Sequence, residues 1–267
     1  MNSILGIDIG SSTTKIIEYK SNKIITKKII RHAFSEKDIE EFIAKNNIND
    51  LEKIVLTGIG ADKINIEKYN IPIEKVEEFD AISKGGLYLS NKEKAIIVSV
   101  GTGTALIQAT KNEAKHLGGT GVGAGTLLNL CDRILKINSF DEIYELSKKG
   151  NIEKIDLRIG DVTDKEIETL PKDLTLSNFG KFDKDAKKED ILIGFINMIF
   201  EVIGMMAAFA TINSEIKDVV LIGNITVLPR VEEILKKIEF THGIKFSVYD
   251  DAEYAVALGA IRSVIDK

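Results

Sequence analysis

The sequence predicts an α/β fold built twice: two lobes, each a mixed sheet with helices, and a nucleotide-sized cleft between them. An internal repeat is the first reason. Residues 5–17 (LGIDIGSSTTKII) resemble 96–108 (IIVSVGTGTALIQ), 54–58 (IVLTG) resemble 219–223 (VVLIG), and 77–90 (EEFDAISKGGLYLS) resemble 250–263 (DDAEYAVALGAIRS). The matches run in the same order in both halves, the first offset by 91 residues and the second by 165. One match between strand–glycine patterns would be weak; three in order favour duplication over coincidence. The wider offset places an insertion in the second copy, between Gly118 and Asp218. The second reason is that each copy opens with an apolar strand, a Gly/Ser/Thr turn and another apolar run. The third is that segments of helical period follow each hairpin. The lobes are expected at 1–92 and 93–267, with the insertion at about 138–189.

The elements follow in order. Segments 4–9, 15–20 and 24–31 are rich in Ile and joined by short polar turns, which predicts three strands. Over 36–46, Ile39, Phe42 and Ile43 share a face at helical spacing. A strand is predicted at 53–57 and a helix from about 78 to 90. In the second copy strands are predicted near 95–100, 104–110 and 114–117, then a helix from about 123 to 137. The insertion is polar and short of apolar periodicity. After it come a long helix at 190–213, a strand at 218–222, a helix at 227–238, a strand at 245–249 and a helix at 252–265. Two such lobes with a cleft between them suit a nucleotide site.

Composition removes several classes of function. The chain of 267 residues is 44% hydrophobic, enough for a sizeable core. A net charge of −5 argues against a broad grip on nucleic-acid phosphates. The single cysteine, Cys131, excludes an intrachain disulfide framework and a cysteine-rich metal or iron–sulfur site within one chain. His32, His116 and His242 lack metal-ligand spacing. The first eight residues have neither the basic nor the long apolar region of a signal peptide. Residues 191–212 have the length of a membrane span, but Asn197 and Glu201 near the middle would be penalised in hydrocarbon. A buried core helix, no membrane and a cytoplasmic location are therefore expected.

Four motifs carry chemistry. In Asp8-Ile9-Gly10-Ser11-Ser12-Thr13-Thr14-Lys15, Gly10 permits a tight turn, and the following N–H groups and hydroxyls can cradle phosphate oxygens. Asp8 at the strand end can hold Mg²⁺ directly or through water. Lys15 on the returning strand is a point charge for a phosphate. A plain hairpin more often turns on Asn-Gly or Asp-Gly, so this composition exceeds what a turn needs. Val100-Gly101-Thr102-Gly103-Thr104 repeats the hairpin without the Asp and Lys, and the two can clamp a polyphosphate from opposite lobes. Neither is a P-loop or a Rossmann fingerprint: GxxxxGK[ST] is absent and the hairpin leads into a strand. The third motif, Gly118 to Thr126 leading into Leu127-Leu128, has five glycines in eight residues ahead of a helix. Such a loop exposes backbone N–H groups and points to nucleotide or substrate contact over a flexible linker. The fourth, Glu77-Glu78-Phe79-Asp80-Ala81, sits at a strand-to-helix junction. Its carboxylates are either helix-capping charges or hold a general base for a substrate hydroxyl, and spacing alone does not choose. HExxH, CxxC, GxSxG, HRD and DFG are absent, so a zinc enzyme or a covalent serine hydrolase is not supported.

Together these pieces resemble the superfamily of sugar kinases, heat-shock chaperone ATPases and actin, with its duplicated ribonuclease H-like lobes. Within it the chain is most similar to the type II pantothenate kinases, over nearly its whole length. The matching pieces are GIDIGSSTTK (6–15), VEEFDAISKGGLYL (76–89), VSVGTGTAL (98–106), HLGGTGVGAGTLL (116–128), DLTLSNFG (173–180) and AVALGAI (255–261). The first and third are shared across the superfamily, whereas EFDA and DLTxSNFG are more specific. The resemblance implies a homodimeric kinase that phosphorylates the primary hydroxyl of pantothenate with ATP and Mg²⁺.

Carried over by match, Glu78 is the general base, with Glu77 one residue out of register, and Lys15 is a catalytic charge beside the metal-holding Asp8. Asp8 through Lys15, then Gly101, Thr102 and Gly103, are the phosphate loops. Gly123, Ala124, Gly125, Thr126, Leu127 and Leu128 belong to the nucleotide loop, Phe140 falls near an adenine-packing aromatic, and Asn224 near the nucleoside. His116, Gly119 and Thr120 fall on the substrate side. There are departures. Ser11-Ser12 replaces a common Gly-Gly, Ala124 replaces a Gly, and His116 stands where some members carry a substrate-holding arginine. Rival readings are an ATPase activator of a 2-hydroxyacyl-CoA dehydratase, an amino-sugar kinase on the same scaffold and an actin-like assembly protein. Cys131 as the lone cysteine counts against the first, and Glu78 with DLTLSNFG against the last.

Overall fold

The computed structural model describes residues 2–32, 34–64, 71–167 and 170–266. Ile-rich runs joined by turns of a few residues fold back on themselves at the start of each copy. The first half runs β1 (Ser3–Ile9), β2 (Thr14–Lys20), β3 (Lys23–Ile30), α1 (Glu36–Lys45), β4 (Leu51–Thr57), β5 (Ile73–Lys75) and α2 (Glu78–Ser90). The second opens with β6 (Lys94–Val100), β7 (Thr104–Thr110), β8 (Ala114–Thr120), α3 (Ala124–Leu130) and α4 (Phe140–Ser147). It continues through β9 (Leu157–Arg158), α5 (Ile159–Val162), β10 (Thr175–Ser177), α6 (Lys188–Thr211), β11 (Asp218–Ile222), α7 (Val231–His242), β12 (Lys245–Val248) and α8 (Ala255–Ile265).

Two five-stranded sheets result, in the orders β3-β2-β1-β4-β5 and β8-β7-β6-β11-β12. The order is the same in both, with an antiparallel three-strand meander and two strands added in parallel. The fold is thus the duplicated two-lobe α/β arrangement read from the repeat. The hairpin registers differ by one residue. Asp8 faces Lys15 and Ile9 faces Thr14 in the first, whereas Ser99 faces Ala105 and Val100 faces Thr104 in the second.

Each sheet has one face on its own core. Leu5, Ile7 and Ile9 pack with Ile39 and Phe42 of α1 in the first lobe. Val98 and Val100 pack with Leu127, Ile196 and Phe200 in the second. The other faces are covered by exchange. α2 lies on β6 and β7, where Ile82 and Leu87 meet Ile97 and Ile107. α8 lies on β1, β2 and β4, where Leu258 and Ile261 meet Ile17 and Tyr19. The two helices cross at Gly85 and Gly259. A Cβ on Gly259 would stand 1.8 Å from the Ala81 carbonyl oxygen, and one on Gly85 2.0 Å from that of Ala255.

α6 explains its own polar residues. Among the described residues it is the one helix long and apolar enough to cross a membrane, and 67% of its most apolar window is buried inside the fold. Asn197 Nδ2 donates to Asp156 Oδ2 at 2.8 Å, and Glu201 accepts from Asn178 Nδ2 at 2.8 Å and from the Thr175 hydroxyl. Thr175 and Asn178 belong to DLTLSNFG, so this segment is fastened to α6. Asp156 is fully buried, and that burial raises its pKa.

Several elements differ from the sequence expectation. The helix expected at 227–238 begins only at Val231, because Pro229 precedes Arg230, whose φ of 74° cannot continue a right-handed helix. The helix expected over 123–137 is α-helical to Leu130, then widens into a π turn over Cys131–Leu135 and ends at Lys136 with φ 56°. A 3₁₀ turn at Ala252–Tyr254 precedes α8. The insertion, polar on average, still contains α4, whose Phe140, Ile143 and Tyr144 pack against the second core.

Candidate active site

A cavity of about 350 Å³ lies between the lobes, lined by both hairpins, the start of α2 and the loop after β11. Asp8 reaches it from the end of β1, and Lys15 from the facing position of β2. The Lys15 Nζ donates to Asp8 Oδ2 at 3.2 Å, with both side chains largely buried. The hydroxyls of Ser11 and Ser12 meet the Thr102 hydroxyl at 2.6 and 2.9 Å. These contacts fasten the first turn to the second across the cleft.

The second turn is built differently. Its Gly101 carbonyl accepts from the Ala124 N–H at 2.8 Å and its Thr102 carbonyl from the Gly125 N–H at 3.0 Å. The Thr104 hydroxyl donates to the Val122 carbonyl at 2.8 Å. A Cβ on Gly123 would stand 2.7 Å from the Gly103 carbonyl oxygen, and one on Gly125 2.8 Å from that of Thr102. Gly119, Gly123 and Gly125 of the third motif therefore answer to the neighbouring hairpin, and the Ala124 and Gly125 N–H groups are spent on that hairpin's carbonyls.

The fourth motif separates its two glutamates. Glu77 is the exposed N-cap of α2. Glu78, one residue later, is half-buried and lines the cavity with Asp8 and Lys15. Burial raises the Glu78 pKa, the nearby Asp8 charge raises it further, and Lys15 pulls the other way. A carboxyl so placed is a stronger base once ionised than one in water.

Of the other residues singled out from the sequence, Gly10, Ser11, Ser12, Thr13, Gly101, Thr102, Gly103, Thr120, Ala124, Gly125, Leu128 and Asn224 line the cavity. Ile9, Thr14 and Leu127 are buried behind it. Thr126 ties the loop internally, accepting from the Gly123 N–H at 3.2 Å. Gly119 packs against the Thr104 carbonyl. Phe140 lies under the Arg31 guanidinium, 5.3 Å from its ring centre. His116 is exposed and stacks on Phe79, with ring centroids 4.6 Å apart and planes 9° from parallel. Gly119, Gly123, Thr126, His116 and Phe140 are outside the lining.

Sequence reasoning missed Phe79, Ile82, Ala105, Gly223 and Glu253, all on the cavity wall. Phe79 was within reach of a motif already noted. Glu253 lies in the repeat partner of the fourth motif, which was the available signal. It also lines a wider groove of about 1,020 Å³ that runs past Lys27, Tyr144, Thr226 and Tyr249.

No cluster of three or more His, Cys, Asp or Glu placed to hold a metal occurs among the described residues. Mg²⁺ does not require one, since it keeps several waters and takes one or two carboxylates plus phosphate oxygens. Asp8 and the hydroxyls around it are hard oxygen donors of that kind. Thr57, the register partner of Asp8 on β4, is buried with its hydroxyl unpartnered among the described residues.

The Fumble family model matches residues 94–242, more than half of the chain. The chain belongs to this family, that of the type II pantothenate kinases. It is 29% identical over 268 residues to the type II pantothenate kinase of Staphylococcus haemolyticus, covering 96% of this chain and 98% of that one. With the Bacillus cereus (strain G9842) type II pantothenate kinase it shares 28% identity over 235 residues, 84% of each chain. Among solved structures, the activator of the 2-hydroxyisocaproyl-CoA dehydratase from Clostridium difficile superposes with a TM-score of 0.70 at 18% identity, over 99% of this chain and 94% of that one. A ROK hexokinase from Thermus thermophilus gives 0.56 at 13%, over 97% and 96%. These two likenesses establish the shared fold. The type II pantothenate kinases match this chain along most of its length.

Proposed function

We propose that this protein is a pantothenate kinase, transferring the γ-phosphate of ATP to the primary hydroxyl of (R)-pantothenate to give 4′-phosphopantothenate and ADP, the first step of coenzyme A biosynthesis. The observation that carries it is Glu78. It is a half-buried carboxyl of raised pKa in the same cleft as Asp8, Lys15 and two polyphosphate-sized hairpins. A base there serves whatever oxygen attacks the phosphate, and the likeness to type II pantothenate kinases over most of the chain supports an alcohol over water as that acceptor.

ATP would lie along the cleft with its phosphates between the two turns. The bonds from Ser11 and Ser12 to Thr102 would then be exchanged for bonds to phosphate oxygens. Lys15 would leave Asp8 for the transferred phosphoryl group. Asp8, freed of its lysine, would hold Mg²⁺, which when bound offsets charge on the phosphates. Glu78 would accept the hydroxyl proton as the acceptor oxygen attacks in line. Lobe closure, divided at about residues 92 and 93, would exclude water. Asn224 and the groove beyond Glu253 would take the nucleoside. Most of the acceleration would come from positioning and preorganised charge.

The homodimer of this reading has a candidate face. Val202, Phe209 and Ile212 recur at helical spacing along α6 and its end, and all three are exposed. A second copy of the chain would cover them. Cytoplasmic residence accords with the substrate. The dehydratase-activator alternative needs cluster-ligating thiols, and Cys131 is fully buried with its pKa pushed up to about 12 by that burial. An amino-sugar kinase is the other alternative. Purified protein with MgATP and either pantothenate, N-acetylglucosamine or water, scored for ADP, separates all three. Equal ADP release with and without pantothenate would remove the pantothenate kinase assignment, and the N-acetylglucosamine arm would then separate a sugar kinase from an ATPase.

A further inference from the structure

We propose that the Phe79–His116 stack forms the wall that seats the carbon skeleton of the acceptor beside its hydroxyl. His116 acts as a positioning residue through Phe79, and not as a charged contact to substrate. This rests on an alcohol being phosphorylated at Glu78.

Phe79 directly follows Glu78 in the first turn of α2, and it lines the cavity while 42% of its surface remains exposed. A large aromatic face left in water next to a base is surface that a ligand can cover. Its ring is held by His116 from β8, the edge strand of the second sheet, in a nearly parallel stack at 4.6 Å. His116 itself is outside the cavity lining. Its ring therefore bears on the site by fixing Phe79, and with it the turn that carries Glu78.

Ile82, one turn further along α2, and Ala105 from β7 line the same cavity. Phe79, Ile82 and Ala105 thus give the cavity an apolar portion on the α2 side, while Asp8 and Lys15 face Glu78 from the hairpin. Such an apolar portion favours an acceptor whose carbon beside the reacting CH₂OH carries alkyl groups, as the dimethylated carbon of pantothenate does. It disfavours a sugar, whose neighbouring hydroxyls would lose water without gaining partners.

The test is steady-state kinetics on Phe79→Ala, His116→Phe and His116→Lys, with KM measured separately for ATP and for whichever alcohol the wild type phosphorylates. The wild-type acceptor panel alone judges whether pantothenate is the substrate; the variants judge the stack. Phe79→Ala is expected to raise acceptor KM about ten-fold, with ATP KM unchanged. His116→Lys is expected to raise acceptor KM about three- to ten-fold, whereas His116→Phe, which keeps a flat ring, stays within about two-fold of wild type. Retention by the lysine variant with loss in the phenylalanine variant would make His116 a charged substrate contact and overturn the proposal. So would equal behaviour of the two variants, or an ATP KM that moves in step with acceptor KM.

Discussion

The β1–β2 and β6–β7 hairpins occupy the same place in two sheets of the same strand order, but they face the cleft with different equipment. The first presents Asp8 and Lys15 at facing positions; the second presents Ser99 and Ala105 there. The second turn instead has its carbonyls bonded to the N–H groups that open α3. Glu78 also comes from the first half of the sequence, although α2 rests on the second sheet. Titrating chemistry is thus drawn mainly from one copy and a braced backbone cradle from the other. The lesson is that a duplicated scaffold can divide charge and rigidity between its copies while keeping its topology.

Charge would not be concentrated in the first copy if its ionisable groups proved dispensable. The largest expected effect is for Glu78→Gln, a drop in kcat of roughly 10²–10⁴-fold with ATP binding retained. Glu77→Gln, at the exposed cap, should stay within about two-fold. Steady-state kinetics on the pair checks this, and a reversed order would move the base to Glu77. The wild-type rate should rise with pH through the raised pKa of Glu78, above the ordinary range near about 4.3, and Glu78→Gln should lack that limb.

Next come the paired positions of the hairpins. Asp8→Asn should lower turnover roughly 10²–10³-fold and raise the Mg²⁺ needed for half-maximal rate. Ser99→Ala, its counterpart, should cost no more than about three-fold. A Mg²⁺ titration of both variants that shows no difference would place the metal elsewhere.

The rigidity of the second copy rests on glycines packed against its turn. Gly125→Ala forces a Cβ against Thr102 and should cost about 1–3 kcal/mol of stability. At Gly121 nothing lies within 4 Å of an added Cβ, and Gly121→Ala should change stability by less than about 0.5 kcal/mol. Urea titrations of the two variants make the measurement.

The smallest effect has the opposite sign. The folded state raises the Glu78 pKa, so it holds the proton more tightly than the unfolded chain does. Stability therefore falls as pH rises from the ordinary glutamate range through the folded value, and the penalty is complete above that value. Glu78→Gln should raise Tm slightly at pH 7 and leave it unchanged in acid below the ordinary range. Thermal melts at the two pH values distinguish this from a general packing effect.

Much of the fold was legible because its signals are local. The Ile-rich hairpins and the span of α2 need only neighbouring residues to specify them, and the repeat supplied the two-lobe duplication, though not the order of strands within each sheet. β5 was illegible at three residues, too short for a period to register. The start of α7 turned on one left-handed residue after a proline. In the site, Asp8, Lys15 and Glu78 were legible as charges at strand and helix ends. The bracing role of Gly123 and Gly125 was not, because their contacts, at Gly101, Thr102 and Gly103, lie some twenty residues earlier in the chain. His116 was read through its charge, while its contact is a ring from another element.

The crossing of α2 over α8 has a consequence for how the molecule melts. The chain reads as two units, yet neither half carries the helix that covers the inner face of its own sheet. A fragment ending near residue 92 would leave Ile17 and Tyr19 without α8, and the remaining fragment would leave Ile97 and Ile107 without α2. The halves should therefore unfold together in one cooperative transition, and separately made halves should recover structure only when mixed.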